Sequence, residues 1–297
     1  MAQVPATPKW KRALRRAAAA MSPALARGLA PAASETAALD LRAAAVGPRP
    51  AAQEVIFLVP LVGPHHVGDW QAVTERLAQT VESLQRQDGA WRAVICCQER
   101  PPLPDDPRLI WLPFTDPTPG NDKWRKLAAL CDHLAELGSG PAYVMSFDAD
   151  DLLRDGTVAE MLARQESGYL VETGFVMDHA TRGVALAGPR SLTMPLRKPF
   201  WKLCGSCAAV FHDPALPQSA AFLRAMTAHE HRMFPYLARL AERRLRPLAR
   251  PSVLYVLNHG ENFGARRGRV GFKTRFVQRY AVTAEDWARV APEFPTP

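Results

Sequence analysis

The stretch AYVMSFDADD, residues 142–151, decides the fold and marks the candidate site. Its first half is apolar enough for a buried strand, and its second half is polar and contains Asp148, Asp150 and Asp151. Alternate aspartates at a strand end can direct two carboxylates at one point, where a cation or protonation must relieve their repulsion. Hard oxygen ligands of this kind suit manganese or magnesium, so we predict Mn²⁺ or Mg²⁺ as the cofactor.

Upstream of that stretch, apolar strands alternate with amphipathic helices. The apolar runs 55–62, 91–98 and 108–114 favour strands, and the spacing of apolar residues predicts helices over 69–87 and 122–137. Such alternation is typical of an α/β fold with a mostly parallel sheet flanked by helices. Ligands of these sheets bind at the carboxyl ends of the strands, which is where the aspartate cluster falls.

The chain has two parts of different composition. Residues 1–51 are rich in Ala, Pro and Arg, and residues 1–50 carry +6 of the formal net charge of +8. We therefore predict a flexible basic leader over 1–51 and one domain over 52–297. Because the body is nearly neutral, we do not expect nucleic acid as a partner. The segment 9–21 could form a short basic helix that contacts a membrane surface peripherally.

The five cysteines favour a reducing compartment. Their number is odd and their spacing is irregular, which does not suit a secreted disulfide framework. Cys204 and Cys207 form a C-x-x-C without a second pair, so we expect small buried thiols rather than a zinc site. No apolar run approaches the roughly 18 residues of a membrane span. We expect a cytoplasmic protein, at most peripheral at the inner membrane.

These features together resemble the GT-A glycosyltransferases, in particular the inverting family-2-type nucleotide-sugar transferases. The strand VIFLVPLVGP, with Pro60, looks like the opening strand of that family, and VESLQRQ at 81–87 resembles the end of its first helix. FDADD stands where the family has its Asp-x-Asp signature, about 90 residues after the first strand. The resemblance covers roughly residues 54–212 and a later segment around His259.

The resemblance implies roles for the metal and the base. Asp148 would contact both the nucleotide and the metal, and Asp150 would bind the metal. His259 follows the apolar segment PSVLYVL and would complete the metal site. Glu230 would deprotonate the acceptor hydroxyl, an assignment that rests on its order along the chain alone.

The same resemblance implies further donor contacts, with one departure from the family pattern. Where the family has an acidic pair that reads the base, this chain has Gln98 and Glu99, so Gln98 or Glu99 could hydrogen-bond the base, and Glu99 is the residue that we assign to the donor site. Lys123 opens the second predicted helix and could bind the diphosphate. In the segment 197–211, Trp201 could stack on the sugar and Gly205 could line its site. Pro60 completes the predicted donor site.

The implied reaction moves a hexosyl group from a nucleoside diphosphate sugar to an acceptor hydroxyl, with inversion. UDP is favoured by its frequency in the family, and the acceptor would be a glycan or a lipid-linked glycan of bacterial surface assembly. Two alternatives stay open. One is a non-catalytic sugar- or partner-binding scaffold of the same fold. The other is a haloacid-dehalogenase-type phosphatase, although Leu152 stands where that family has Thr or Val. An EF-hand loop fails at Leu152 and Leu153.

Overall fold

The computed structural model describes residues 3–116, 118, 120–258 and 270–296, and the strands and helices below belong to them. The strands are β1 Glu54–Pro60, β2 Trp91–Cys97, β3 Leu109–Pro113, β4 Ala142–Ser146, β5 Asp151–Leu153, β6 Gly168–Leu170, β7 Gly174–Asp178, β8 Gly183–Ala187, β9 Ala208–His212, β10 Arg246–Pro247 and β11 Val253–Leu257. The helices are α1 Lys9–Met21, α2 Pro23–Gly28, α3 Ala33–Ala44, α4 Trp70–Gln85, α5 Lys123–His133, α6 Thr157–Arg164, α7 Pro217–Thr227, α8 Phe234–Leu240, α9 Val270–Arg279 and α10 Ala284–Val290.

The predicted α/β fold class is confirmed. Seven strands form the main sheet in the order β10-β6-β9-β4-β1-β2-β3, and β4, β1, β2 and β3 are mutually parallel. Strand β9 runs antiparallel to both β4 and β6. The interior of β1 is fully buried because α5 and other helices cover the sheet. The parallel strands β1, β2 and β4 therefore end side by side.

The two helices predicted upstream of the aspartates are present. Helix α4 begins after Asp69, whose carboxylate accepts a hydrogen bond from the backbone N–H of Ala72 at 2.9 Å. Helix α5 begins at Lys123 and continues as a 3₁₀ turn to Leu137. Gly138, at a φ of 58°, ends that turn in the left-handed conformation that glycine adopts without strain.

The decisive stretch 142–151 is divided between two sheets, which its sequence did not predict. Strand β4 ends at Ser146, a turn carries Asp148 and Asp150, and Asp151 opens β5. Strand β5 belongs to a second sheet with the order β5-β11-β7-β8 and pairs antiparallel with β11. The aspartates thus lie where the chain crosses from one sheet to the other.

The first 51 residues correct our prediction of a flexible leader. They contain helices α1, α2 and α3, and α3 packs against α7 and α8. Glu35 of α3 is fully buried and binds Arg15 of α1 at 2.5 Å, while the Tyr236 hydroxyl donates to it at 2.8 Å. Composition misled us because alanine is also small enough to pack helices closely against a core. The basic Arg15 is a structural partner of a buried acid rather than a solvated charge.

The five cysteines are all free and buried, including Cys204 and Cys207, which we expected to be small buried thiols. Among the described residues, no helix is both long and apolar enough to cross a membrane.

Candidate functional site

A cavity of about 870 Å³ opens beside the carboxyl ends of β1 and β4. Six of the residues that we predicted for the site line it: Pro60, Lys123, Asp148, Asp150, Gly205 and Glu230. They come from segments far apart in sequence and meet there because parallel strands end at the same edge of a sheet.

Asp148 is held from two sides. Its Oδ1 accepts a hydrogen bond from Nζ of Lys123 at 2.6 Å, and its backbone N–H donates to Oγ of Ser206 at 2.8 Å. Gly205 lies beside this carboxylate, since a Cβ at position 205 would be 3.4 Å from Oδ2 of Asp148, an ordinary van der Waals contact. Burial alone would lower the pKa of Lys123, but the charges of Asp148 and Asp150 outweigh it and raise that pKa. The ammonium group therefore stays charged.

Asp151 lies behind the cavity wall and is fully buried. Its Oδ2 accepts from Sγ of Cys204 at 3.0 Å, and its Oδ1 has no hydrogen-bond partner among the described residues. Burial, followed by the charges of Asp150 and Asp148, raises the pKa of Asp151 well above its usual value. The raised pKa favours the protonated form of Asp151, and protonation would relieve part of the carboxylate repulsion in this turn.

A second polar cluster lies at the ends of β1 and β2. Lys126 is almost completely buried, and its Nζ donates to the carbonyl of Leu61 at 2.6 Å and to Oε1 of Gln98 at 2.8 Å. The same Nζ is 2.7 Å from Oδ2 of Asp122, which also accepts from Nε2 of Gln98 at 2.7 Å. Both ends of the Gln98 amide are therefore occupied. This side chain joins two strands to the start of α5 and is not available to read a nucleotide base.

Two of the predicted donor contacts do not line the cavity. Glu99 is largely exposed, and its Oε1 lies 3.3 Å from Nε2 of His65. Trp201 packs against the hydrophobic core, with Nζ of Lys202 4.9 Å from the centre of its ring. A ring of this size gains more from burial than from standing open for a sugar. The predicted metal ligand His259 lies outside the described residues.

Tyr255 of β11 and Lys273 of α9 line the cavity but were not candidates from the sequence. Nζ of Lys273 donates to the Tyr255 hydroxyl. Burial, followed by the charges of neighbouring groups that include Asp150, raises the pKa of Tyr255 well above its usual value. Burial also lowers the pKa of Lys273, although the nearby carboxylates oppose that shift. The strand around Tyr255 was visible in the sequence, but its distant lysine partner was not.

The three consecutive residues His229, Glu230 and His231 have different surroundings. His229 is buried, and its Nε2 lies 2.7 Å from Oγ of Ser34 in α3. Glu230 and His231 line the cavity. Burial, followed by the cation of Lys123, lowers the pKa of His231 to about 4, so its imidazole is neutral near pH 7. Nε2 of His231 is buried and has no hydrogen-bond partner among the described residues.

The remaining charged lining is mostly basic, which favours an anionic ligand. The cavity walls carry six basic side chains besides Lys123 and Lys273: Arg76, Lys126, Lys198, Lys202, Arg232 and Arg275. Burial, followed by neighbouring cations, lowers the pKa values of Lys198 and Lys202. Within the described part of the chain, no group of three or more His, Cys, Asp or Glu residues is placed to hold a metal ion by itself.

No protein-family model matches this chain, and no curated protein does. Among solved structures, the chain is similar to a 4-diphosphocytidyl-2C-methyl-D-erythritol synthase, with 16% identity and a TM-score of 0.31, over 75% of this chain and 99% of that one. It is also similar to the apo-form glycosyltransferase GlyE of Streptococcus pneumoniae TIGR4, with 10% identity and a TM-score of 0.34, over 83% of this chain and 66% of that one. At these scores neither likeness carries an argument about function.

Proposed function

We propose that this protein is a metal-dependent glycosyltransferase that uses a nucleoside diphosphate sugar. The observation that carries the proposal is the meeting of Asp148, Asp150 and Lys123 in one cavity at the carboxyl ends of parallel strands. The cavity volume of about 870 Å³ lies in the range of small-molecule sites, roughly 300–1,000 Å³. Opposite charges side by side suit a ligand that carries both a diphosphate and its counter-ion.

The diphosphate would bind near the start of α5. Lys123 is the first residue of that helix, where backbone N–H groups and the helix dipole favour an anion. Its ammonium group is charged and lies in the cavity. Lys198, Lys202 and Arg232 add positive charge to the same walls. These groups would bind and orient the diphosphate.

The donor chemistry of the turn fits a hard divalent cation. Asp148 and Asp150 line the cavity and supply carboxylate oxygens, the ligand type that Mg²⁺ and Mn²⁺ prefer. Two carboxylates are a sufficient protein contribution where substrate phosphates and water complete the ligand set. Asp150 and Asp148 would hold the ion, which would neutralise charge on the departing diphosphate. His259 is proposed as a further ligand by the sequence resemblance alone.

Glu230 is the proposed base. It is partly buried in the cavity wall, at the start of the turn that also carries His231. Its carboxylate would accept the proton of the acceptor hydroxyl. Inversion, UDP as the nucleotide and a glycan or lipid-linked acceptor of bacterial surface assembly are further parts of the proposal. They rest on the sequence resemblance.

Calorimetric titration of UDP, GDP, CDP and dTDP, first with Mn²⁺ and then with EDTA, tests the proposal. We expect one nucleotide to bind with Mn²⁺ and to lose at least about ten-fold in affinity in EDTA, because the carboxylates repel the diphosphate without the ion. Asp150→Asn should lose affinity in the same way. The exposed Asp105→Asn is the matched control and should bind like the wild type. No binding of any nucleotide by a folded protein would contradict the proposal.

Turnover separates catalysis from binding. Glu230→Gln keeps the size of the side chain but removes the base, so we expect transfer to fall by about 10²–10⁴-fold at unchanged nucleotide affinity. Sugar release from the nucleotide, measured with a radiolabelled donor, would report this. Unchanged turnover in Glu230→Gln would assign the base elsewhere. Nucleotide binding without any transfer would favour the scaffold alternative, and phosphate release from simple esters would favour the phosphatase.

A further inference from the structure

Helix α1 exposes an apolar stripe. Trp10, Leu14, Ala17 and Met21 follow one another at steps of four, three and four residues, which places them on one face of the helix. The exposed fractions of the three large side chains are 65% for Trp10, 49% for Leu14 and 80% for Met21. Leu25 of α2, at 52%, is exposed close by in sequence. Large apolar side chains so open to water, and so grouped, indicate an interaction surface.

The outward direction of the stripe is set by the opposite face of α1. Arg15 and Ala19 are buried there, and Arg15 forms its 2.5 Å ion pair with the fully buried Glu35. Arg15 also donates to the carbonyl of Ala30 at 2.8 Å. Rotating the helix to bury the stripe would break this pair and leave a buried carboxylate without its partner, which is costly. The stripe therefore faces solvent in the folded chain.

Basic side chains flank the stripe, and they identify the chemistry of its partner. Lys11 lies on one side of the apolar row, and Lys9 and Arg16 lie on the other. Helix α1 contains no acidic residue, and none of these three side chains takes part in an ion pair within the described residues. Nζ of Lys11 lies 5.4 Å from the centre of the Trp10 ring, and an apolar row between cations without acidic partners is complementary to a surface with anionic headgroups over an apolar interior.

We propose that the outer face of α1, extended by Leu25, docks on a bilayer that contains anionic phospholipid. The stripe enters the boundary between headgroups and acyl chains, and Lys9, Lys11 and Arg16 contact the headgroup phosphates. This function is separate from transfer chemistry and stands whether or not the chain is a glycosyltransferase.

Docking would also bring the cavity close to the bilayer. Gln3 lines the cavity, and α1 begins six residues later at Lys9. Six extended residues span at most about 21 Å, so the first residue of the docked helix lies within that distance of Gln3 in the cavity wall. A lipid-anchored ligand could then reach the cavity without leaving the membrane.

Flotation of the full-length chain with vesicles tests the proposal. We expect binding to phosphatidylcholine vesicles that contain about 30% phosphatidylglycerol, and little binding to pure phosphatidylcholine. Leu14→Asp should weaken binding by at least about ten-fold, because it places a charge within the buried stripe. Val46→Asp, at a position that is 89% exposed outside α1, is the matched control and should bind like the wild type.

Two variants with the same change in net charge test whether vesicles bind the outer face of α1 or are attracted by the net charge of +8 in general. Lys11→Glu should weaken binding by at least about five-fold, since one basic side chain near the surface contributes about that factor. Arg100→Glu makes the same change in net charge at an exposed site outside α1 and should have less effect. Equal loss in both variants would overturn the proposal, as would no binding to anionic vesicles.

Sedimentation equilibrium tests the other partner that the stripe could have. If the wild type is a dimer and Leu14→Asp is a monomer, the stripe binds a second copy of the chain and the membrane proposal is overturned. We expect a monomer in both cases. Because Leu14 is exposed, the urea midpoint of Leu14→Asp should match that of the wild type, so lost vesicle binding would not report lost folding.

Discussion

Helix α5 carries two lysines, three residues apart, that each form an ion pair with an aspartate but in opposite surroundings. Lys126 is 1% exposed, and its ammonium group contacts Asp122, Gln98 and the Leu61 carbonyl. Lys123 is 37% exposed and contacts Asp148 at the cavity. We call the first group the closed cluster and the second, with Asp150 and Asp151, the open cluster.

The difference shows how the same residue types are enclosed by the protein in one place and open to the cavity in the other. In the closed cluster, three acceptors surround the three donors of Lys126, so nothing is left for a ligand. In the open cluster, Oδ1 of Asp151 lacks a partner among the described residues, and Asp148 faces the cavity. The open cluster therefore differs from the closed one in the exposure of Lys123 and Asp148 to the cavity.

The largest expected effect is on the closed cluster. Lys126→Met leaves the buried Asp122 carboxylate without its cation, so we expect a loss of about 3–5 kcal/mol in the free energy of unfolding. Lys123→Met is the matched control on the same helix and should cost at most about 1 kcal/mol, because its pair is partly exposed and screened. Urea denaturation of both variants measures the comparison. Similar losses in the two variants would remove the distinction between the clusters.

A third buried polar cluster surrounds Glu35 in the N-terminal helices. Substitution of Glu35 tests whether the hydrogen bonds of this cluster stabilise the fold, as we expect for the closed cluster. Glu35→Gln should cost about 2 kcal/mol, because it weakens hydrogen bonds to a charged acceptor and leaves Arg15 without its partner. Burial acts to raise the pKa of Glu35, but hydrogen bonds from Ala32, Tyr236, Thr7 and Arg15 outweigh it and lower that pKa.

The pH dependence of stability checks the sign of that shift. A lowered pKa in the folded state adds stability above the unfolded value of about 4.3, and that stability is lost as pH falls through the folded value. As the pH is lowered from about 5 to below 4.3, the free energy of unfolding of the wild type should therefore fall by more than that of Glu35→Gln. Parallel curves for the two proteins would show that Glu35 is not held as a carboxylate.

We expect a smaller effect at Asp151, because burial raises its pKa and favours the neutral form. Asp151→Asn replaces a protonated carboxyl by an amide of the same shape, so the free energy of unfolding should change by no more than about 1 kcal/mol. Thermal unfolding at pH 7 measures it, with Asp122→Asn as the control in the closed cluster. A large loss for Asp151→Asn would mean that the side chain is charged in the folded protein.

The smallest expected effect concerns Glu99, which we predicted for the donor site but which does not line the cavity. Glu99→Gln alters an exposed pair with His65, so affinity for the bound nucleotide should stay within about two-fold of the wild type. Calorimetry under the conditions used for Asp150→Asn provides the measurement. A clear loss of affinity would restore Glu99 as a base contact and show that the loop after β2 moves to meet the ligand.

Local patterns in the sequence were sufficient for much of the fold. The helix caps, the apolar spacing of α4 and α5 and the strands β1 to β4 followed from periods that involve neighbouring residues only. The location of Asp148 and Asp150 beside a cavity followed from their place after a central strand. Glu230 was found by order along the chain, without a physical signal of its own.

The hydrogen-bond and ion-pair partners of individual side chains could be identified only from the tertiary structure. The sequence by itself determined the α/β class and the end of the sheet where charged groups collect, because hydrophobic periods and strand ends are local properties. Three contacts are visible only in the folded chain. Lys126 donates a hydrogen bond to Gln98, Lys273 donates one to Tyr255, and Arg15 forms an ion pair with Glu35. These pairs join residues from 18 to 28 positions apart, and no local period encodes which distant group a side chain will meet. Burial then sets their protonation, since the same carboxyl is charged beside a cation and neutral without one.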